Sequence, residues 1–296
     1  MTLIGANVLK DLSKKDLRIL QGVEVGMRHA EYVEIELISK YAGVSVQESE
    51  RLLKKCHKLD LVHRWSGHFI GYELTIHGYD ALALNALYMK EEIVSIGREK
   101  GVGKESKVYY GLDNQGNEVV LKLHRVGFTS FQHVKKKRRY TANKRHISEL
   151  YASRLSAETE KEWLDKAHKL GLSVPKVMAQ NRHIIKMELV DGIDLVKLNK
   201  LPNPMKSLEE IVEFIKIAWK EGGFVHGDIS EHNIIVRHDD IKCVIIDFPQ
   251  AEEINHKNAL ELLERDVVNV LNFFSRKFNI ETSLEGVMEY LSLIHI

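Results

Sequence analysis

The chain has little proline, little cysteine and almost no net charge. Four prolines in 296 residues, with no low-complexity linker, exclude a collagen-like or Pro-rich extended protein. Its two cysteines, Cys56 and Cys243, lie too far apart to form a metal knuckle or a redox pair. Reduced thiols are therefore expected, and a disulfide-stapled fold is excluded. No stretch approaches the roughly 18 apolar residues that span a bilayer, so no membrane contact is expected. Lys10, Asp11, Lys14, Lys15 and Asp16 occupy the positions where a secretory signal would carry its apolar core, and work in the cytoplasm is expected. A balance of 43 Lys plus Arg against 42 Asp plus Glu argues against coating nucleic acid with the whole surface, though not against local patches. What is present is ordinary: 44% hydrophobic and 29% charged residues, at a length that suggests two soluble domains.

Residues 1–84 read as short amphipathic helices followed by a hairpin. Leu17, Leu20 and Val23, then Val33, Ile35, Leu37 and Ile38, form two apolar stripes at helical spacing. Ser45-Val46-Gln47-Glu48 has the pattern of a reciprocal capping box. The helix it opens carries Leu52, Leu53 and Cys56 on one side and Arg51, Lys54, Lys55 and Lys58 on the other. Two β-prone runs, Leu61–Trp65 and Tyr72–Leu74, flank a Gly turn, and Thr75 is placed to cap a last helix with Tyr79, Leu82 and Leu84. This is the order of a winged helix-turn-helix, a module that meets either nucleic acid or protein. A helical connector is expected over 85–95, and a second domain over 96–296.

In that second domain Gly101-Val102-Gly103-Lys104-Glu105-Ser106 precedes a strand. It lacks the helix and third glycine of a dinucleotide fingerprint and the Ser or Thr of a Walker loop. It fits a hairpin over nucleotide phosphates, with Val108 just beyond; alone it also fits an ordinary turn. Glu118–His124 is a strand carrying Lys122 between apolar neighbours, as in the Val-Ala-Ile-Lys strand of protein kinases. Asp228 and Asn233 then stand at the spacing of a kinase catalytic loop, and Asp247 ends an apolar strand in Asp-Phe-Pro. Catalytic roles follow for Asp228, which accepts or orients the nucleophile's proton, for Lys122 on the α- and β-phosphates, and for Asp247. Asn233 and Asp247 offer hard oxygen donors to Mg²⁺, with Mn²⁺ as the alternative ion. His226 is expected to brace the loop, Ser230 to lie near phosphate, and Phe273, Phe274 and Phe278 to be core.

Gly-x-Gly-Lys-Glu-Ser, His-Gly-Asp-x-Ser-x-x-Asn and Asp-Phe-Pro-Gln together resemble the RIO atypical protein kinases, and the preceding winged helix resembles the Rio-two subfamily in its short archaeal-type form. Val126–Phe131 is similar to that subfamily's flexible-loop entry. The resemblance covers essentially the whole chain. It implies an α+β protein, a winged helix-turn-helix followed by a trimmed two-lobed kinase-like domain: N-lobe 96–187, hinge 188–192, C-lobe 193–296. It implies ATP bound by Gly101, Gly103, Lys104, Glu105, Ser106, Val108 and Lys122, with Met187, Glu188 and Val190 around the adenine. It also implies a glutamate partner for Lys122. Glu158, Glu160 and Glu162 are candidates, and counting back from Pro175 favours Glu160, with Trp163, Leu164 and Ala167 on its face. By the same resemblance the activity is serine/threonine phosphorylation or ATP hydrolysis, autophosphorylation included, by a monomer. The partner is a pre-ribosomal small-subunit particle and its ribosomal RNA.

No Ala-Pro-Glu follows Asp247, and a helix holding Leu260, Leu263, Val267 and Val270 comes almost at once, so a peptide-docking platform is not expected. Arg265 and Asp266 are placed to tie that helix to the catalytic loop. A nucleotide switch is favoured over a conventional serine kinase. The alternative from another class is a winged-helix nucleic-acid-binding regulator whose kinase-like half only senses nucleotide. The +1 total also hides residues 119–148, which hold nine Lys or Arg, Lys122, Arg125, Lys135–Arg139, Lys144 and Arg145, and no acid. Beside a basic winged helix, this segment is expected to track RNA phosphates.

Overall fold

The computed structural model describes residues 3–127 and 149–292. They fall into two compact units: residues up to Glu158 together with Ala179–Lys186, and Thr159–Met178 together with the chain from Met187 onward.

The first unit opens with a short helix, α1 (Ile4–Asn7), and a longer one, α2 (Lys14–Gly26). The reciprocal capping box of this region lies at Ser13, not at Ser45. The Ser13 hydroxyl accepts from the Asp16 amide at 3.2 Å, and the Asp16 carboxylate accepts from the Ser13 amide at 2.8 Å. Strand β1 (Val33–Glu34) and helices α3 (Ile35–Ala42) and α4 (Val46–Lys58) follow. Val33, expected on a helix, pairs instead with Tyr72 across the sheet, so the helix starts only at Ile35. Ser45 caps α4 from its hydroxyl alone, because the Glu48 carboxylate is held by Lys15 at 2.7 Å. The wing is β2 (Val62–Ser66) and β3 (Ile70–Leu74), and Thr75 caps α5 (Ile76–Met89) by accepting from the Gly78 amide at 3.2 Å.

Helix α5 decides how this unit is built. It is apolar nearly all round, which marks a helix buried on every side. Tyr79, Ala81 and Leu82 enter the winged-helix core with Ile19, Leu20, Leu53 and Leu61. Ala83, Leu84 and Leu87 enter a second core with Tyr109, Leu121, Leu123 and Ile184. Those last four come from a five-stranded sheet of order β4-β5-β6-β8-β7, built from β4 (Ser95–Val102), β5 (Ser106–Leu112), β6 (Glu118–His124), β7 (Val177–Asn181) and β8 (Ile184–Glu188). One helix therefore serves both cores. The expected boundary at 84 falls inside α5, and the expected connector has no helix of its own beyond Met89.

The second unit includes the C-terminal part of α6 (Glu149–Lys169), then β9 (Gly192–Asp194), α7 (Pro204–Lys220), β10 (Phe224–Val225), β11 (Ile234–Arg237), β12 (Cys243–Ile245), β13 (Glu252–Glu253), α8 (Ala259–Phe278) and α9 (Leu284–Ser292). Asn203 caps α7 by accepting from the Lys206 amide at 3.1 Å, with Pro204 in its first turn. Two small antiparallel sheets, β12-β11-β9 and β10-β13, pack with α7 and α8 around Leu164, Ile211, Phe224, Ile234, Phe248 and Phe274. Phe273 and Phe274 are core residues, with Phe278 packed against them. Among the described residues no helix is long and apolar enough to cross a membrane.

Between β11 and β12, Ile241 stands at φ 60°, in the left-handed region, and is 36% exposed. That conformation costs an ordinary L residue about 1–2 kcal/mol, and more for a β-branched one. Ile241→Gly is expected to raise stability by about 1 kcal/mol, because the strain relieved exceeds the apolar area lost at so exposed a site. Urea unfolding checks this: the midpoint should rise with an unchanged slope, and a lower midpoint would refute it.

Candidate active site

The expected site residues fall on both units. In the second, the catalytic segment leaves β10 at His226 and enters β11 after Asn233. Gly227 turns it at φ 77°, and a Cβ there would meet the Gln250 carbonyl oxygen at 2.7 Å, so only glycine fits. Helix α8 then pins the segment. Asp266, 1% exposed, accepts from the Gly227 amide at 2.7 Å and from the Ile229 amide at 2.8 Å. Arg265 donates to the Gly227 carbonyl and to Gln250 Oε1. Asn269, one turn further, donates to the Ile229 carbonyl at 3.3 Å. The first two ties are those expected; Asn269 was missed, although it stands three residues from Asp266 on the same helix face. Burial pushes the Asp266 carboxyl up to about 7, against the opposing pull of its two amide donors and of Arg265.

Within the pinned loop, the Asn233 side-chain nitrogen donates to the Asp228 carbonyl at 2.8 Å and to Asp228 Oδ2 at 3.1 Å. With the nitrogen so committed, the amide oxygen is the atom left for a cation. His226 braces the loop as expected: its Nδ1 accepts from the Asp228 amide and its Nε2 donates to the Ile246 carbonyl, each at 3.3 Å. The Ile246 amide donates to the Asn233 carbonyl at 3.0 Å, joining this loop to the Asp-Phe-Pro segment. There Asp247 holds φ 70°, a strained backbone for a non-glycine residue and of the kind that collects at functional sites. Phe248 anchors it, fully buried against Phe224 and edge-on to His226. The Phe248 amide donates to Glu160 Oε1 at 3.4 Å.

Of the three candidate glutamates, Glu160 is the buried one, with Leu164 and Ala167 buried on its face. Glu158 pairs with Arg154 at 2.9 Å, and Glu162 is exposed. Among the described residues no three His, Cys, Asp or Glu side chains cluster to hold a metal. Two oxygen donors, Asn233 and Asp247, nevertheless suit Mg²⁺, which keeps several waters and takes phosphate oxygens for the rest of its shell.

In the first unit, Lys122 stands directly opposite Val108 in the β5–β6 ladder, so both lie on one sheet face. Tyr109, Leu121 and Leu123 alternate onto the other face, against α5. Lys122 is buried, whereas Gly101, Gly103 and Lys104 are exposed on the hairpin. The Gly103 amide donates to the Ser106 carbonyl at 2.8 Å, and the Arg125 amide to the Glu105 carbonyl at 2.7 Å. In the second unit Met187 is buried and Val190 half-buried. The Glu188 amide is spent on the Lys176 carbonyl at 3.0 Å, so of that residue's own backbone only the carbonyl is left to meet a base.

Part of the basic surface is engaged in ion pairs. On α4, Lys54 is paired with Glu50 at 2.9 Å and Lys55 with Asp16 at 2.7 Å, leaving Arg51 and Lys58 exposed. In the acid-free stretch Lys122 is buried and Arg125 is paired with Asp80 at 2.7 Å. Neither belongs to an exposed surface that RNA phosphates could track. Lys135–Arg139, Lys144, Arg145 and Phe128–Phe131 lie outside the described residues.

Comparison with known proteins agrees with this layout. Residues 107–286 match the family described as the RIO domain, and residues 9–90 that described as Rio2, N-terminal. The chain is similar to serine/threonine-protein kinase RIO2 of Caenorhabditis elegans, at 38% identity over 280 residues, covering 94% of this chain and 53% of that protein. It is equally similar to the RIO-type serine/threonine-protein kinase Rio2 of Methanocaldococcus jannaschii, at 38% over 278 residues, 90% of this chain and 100% of that one. It thus spans about half the length of the Caenorhabditis relative and the full length of the Methanocaldococcus one. A crystal structure of the Rio2 kinase-ADP/Mg²⁺-phosphoaspartate complex from Chaetomium thermophilum superposes with a TM-score of 0.82 at 30% identity, covering 96% of this chain and 88% of that one.

Proposed function

From the premise that this chain belongs to the RIO family, in its Rio2 branch, we propose that it is an ATP- and Mg²⁺-dependent atypical serine/threonine kinase or ATPase. One observation carries the reading: Asp228 and Asn233 share a hydrogen-bonded loop pinned from α8, and that loop is tied to the strained Asp247 segment. Exposed glycines at 101 and 103 let backbone approach phosphates, and Lys122 neutralises them. Asn233 and Asp247 would hold Mg²⁺, which when bound screens the charge on the transferring phosphoryl group. Asp228 accepts the proton of an attacking hydroxyl or water.

Helix α8 starts at Ala259, close behind Asp247, which leaves little chain for a peptide platform. That favours a nucleotide switch over processing of many protein substrates. By family resemblance the switch would act in the cytoplasm, in maturation of the small ribosomal subunit. RNA contacts would come from the winged helix and from the basic segment 119–148. The relative from Chaetomium carries a phosphoaspartate, and by analogy Asp247 would be an acceptor here: the β–γ bridging P–O bond would break, a carboxylate oxygen would bond to phosphorus, ADP would leave, and water would later hydrolyse the acyl phosphate.

Incubation with γ-labelled ATP and Mg²⁺ tests the proposal. Protein-bound label, or released phosphate, is expected. Acid-stable label marks serine, hydroxylamine-labile label marks aspartate, and release alone marks an ATPase. Absence of binding, label and release together would reject the enzyme reading and leave the nucleic-acid-binding regulator.

A further inference from the structure

Asp80 sits on α5, in the winged-helix portion, and is completely buried, yet its partners come from the sheet. Its two carboxylate oxygens accept from Arg125 Nη2 at 2.7 and 2.8 Å. Oδ1 also accepts from His183 Nε2 at 2.8 Å. His183 is itself fully buried, stacked on Tyr79 with ring centroids 4.7 Å apart, and its carbonyl accepts from the His124 amide at 2.9 Å. Three segments distant in sequence thus converge on one carboxylate: α5, the end of β6 and the turn into β8.

The end of β6 is where this matters. Ser106 pairs with His124 in the last rung of the β5–β6 ladder, and the Arg125 amide adds one more bond, to the Glu105 carbonyl at 2.7 Å. That bond closes the hairpin Gly101–Ser106 onto the sheet. The Arg125 backbone is held in turn by its own guanidinium on Asp80, and by the next amide, Val126, which donates to Ser153 Oγ at 3.0 Å.

Resting on the nucleotide reading above, we propose that Asp80 is a positioning residue for ATP: it fixes Arg125, whose amide sets the phosphate hairpin at Glu105. The winged-helix portion thereby contributes to nucleotide affinity without touching nucleotide. Breaking a core ion pair with no such role would lower the unfolding temperature and leave ATP affinity alone. Positioning errors of an ångström are costly in catalytic sites, so the two roles separate by experiment.

The full-length chain is compared with Asp80→Asn, Arg125→Met and the double variant, which replaces the buried pair by neutral groups and keeps a folded protein in hand if a single variant fails. Unfolding temperature, calorimetric Mg·ATP affinity below every unfolding transition, and hydrogen exchange of residues 101–106 without nucleotide are measured. Single variants should bind Mg·ATP roughly tenfold more weakly, with faster hairpin exchange and little change in kcat at saturating ATP. The double variant should recover thermal stability but not affinity. Folded variants that bind ATP within about twofold of wild type overturn the proposal while the nucleotide reading stands. A wild-type protein that binds no ATP overturns both.

Discussion

Asp228→Asn is expected to lower turnover by about 10²–10⁴-fold while Mg·ATP still binds, the range typical for losing a positioned general base. Asparagine is the sharper substitution. The Asp228 carbonyl that holds Asn233 at 2.8 Å is untouched, and an amide oxygen can replace Oδ2 as the second acceptor. What is lost is the carboxylate's basicity, with the loop's geometry retained. The outcome also identifies the acceptor. Serine and water must shed a proton as they attack, so both need Asp228. A carboxylate nucleophile has no proton to lose, so phosphorylation of Asp247 would survive Asp228→Asn, whereas hydrolysis of the acyl phosphate by water would not. Accumulation of hydroxylamine-labile label in the variant is therefore expected if Asp247 is the acceptor, and loss of all label if serine is. Single-turnover assays with γ-labelled ATP distinguish these. Wild-type turnover in Asp228→Asn would remove Asp228 from the mechanism.

The build of the Asp228–Asn233 loop was legible because its spacing is local. Asp228 and Asn233 must stand five residues apart to share one loop, and a pinning acid must follow on the next long helix, where Asp266 is. The burial of Glu160 could be reached by counting a helical face, since Leu164 and Ala167 bury with it. The joining of the winged helix to the sheet was not legible. Its signal, an α5 apolar all round, reads locally as one more core helix, and Asp80 meets Arg125 from 45 residues away. The same distance hid the fate of the basic helix. Lys55 looks free on α4 until Asp16, 39 residues earlier, accepts from it at 2.7 Å. Ser13-Lys14-Lys15-Asp16 was overlooked as a cap because aspartate, not glutamate, closes the box. Charge patterns state what a surface can offer, and long-range pairing decides what it keeps.

Asp266→Ala should be among the most destabilising single changes in the second unit. It strands two buried amides, Gly227 and Ile229, which lose the acceptor they reach at 2.7 and 2.8 Å. At about 1–3 kcal/mol per orphaned group, roughly 2–6 kcal/mol of stability is expected to go. Turnover should fall with it, since Asp228 lies between the two released amides. Asp266→Asn adds a test through pH. The carboxyl of the folded protein is pushed by burial above its ordinary 3.8, to about 7. The native state therefore holds this proton where the unfolded chain has lost it. The stabilisation it contributes is complete below the unfolded value and is lost as pH rises through the folded one. The stability of wild type relative to Asp266→Asn is thus expected to fall between pH 3.8 and about 7 and to level off above. Urea midpoints of the two proteins across that range decide it. A flat difference would mean that the Gly227 and Ile229 amides, with Arg265 beside them, outweigh burial and keep the carboxylate ionised throughout.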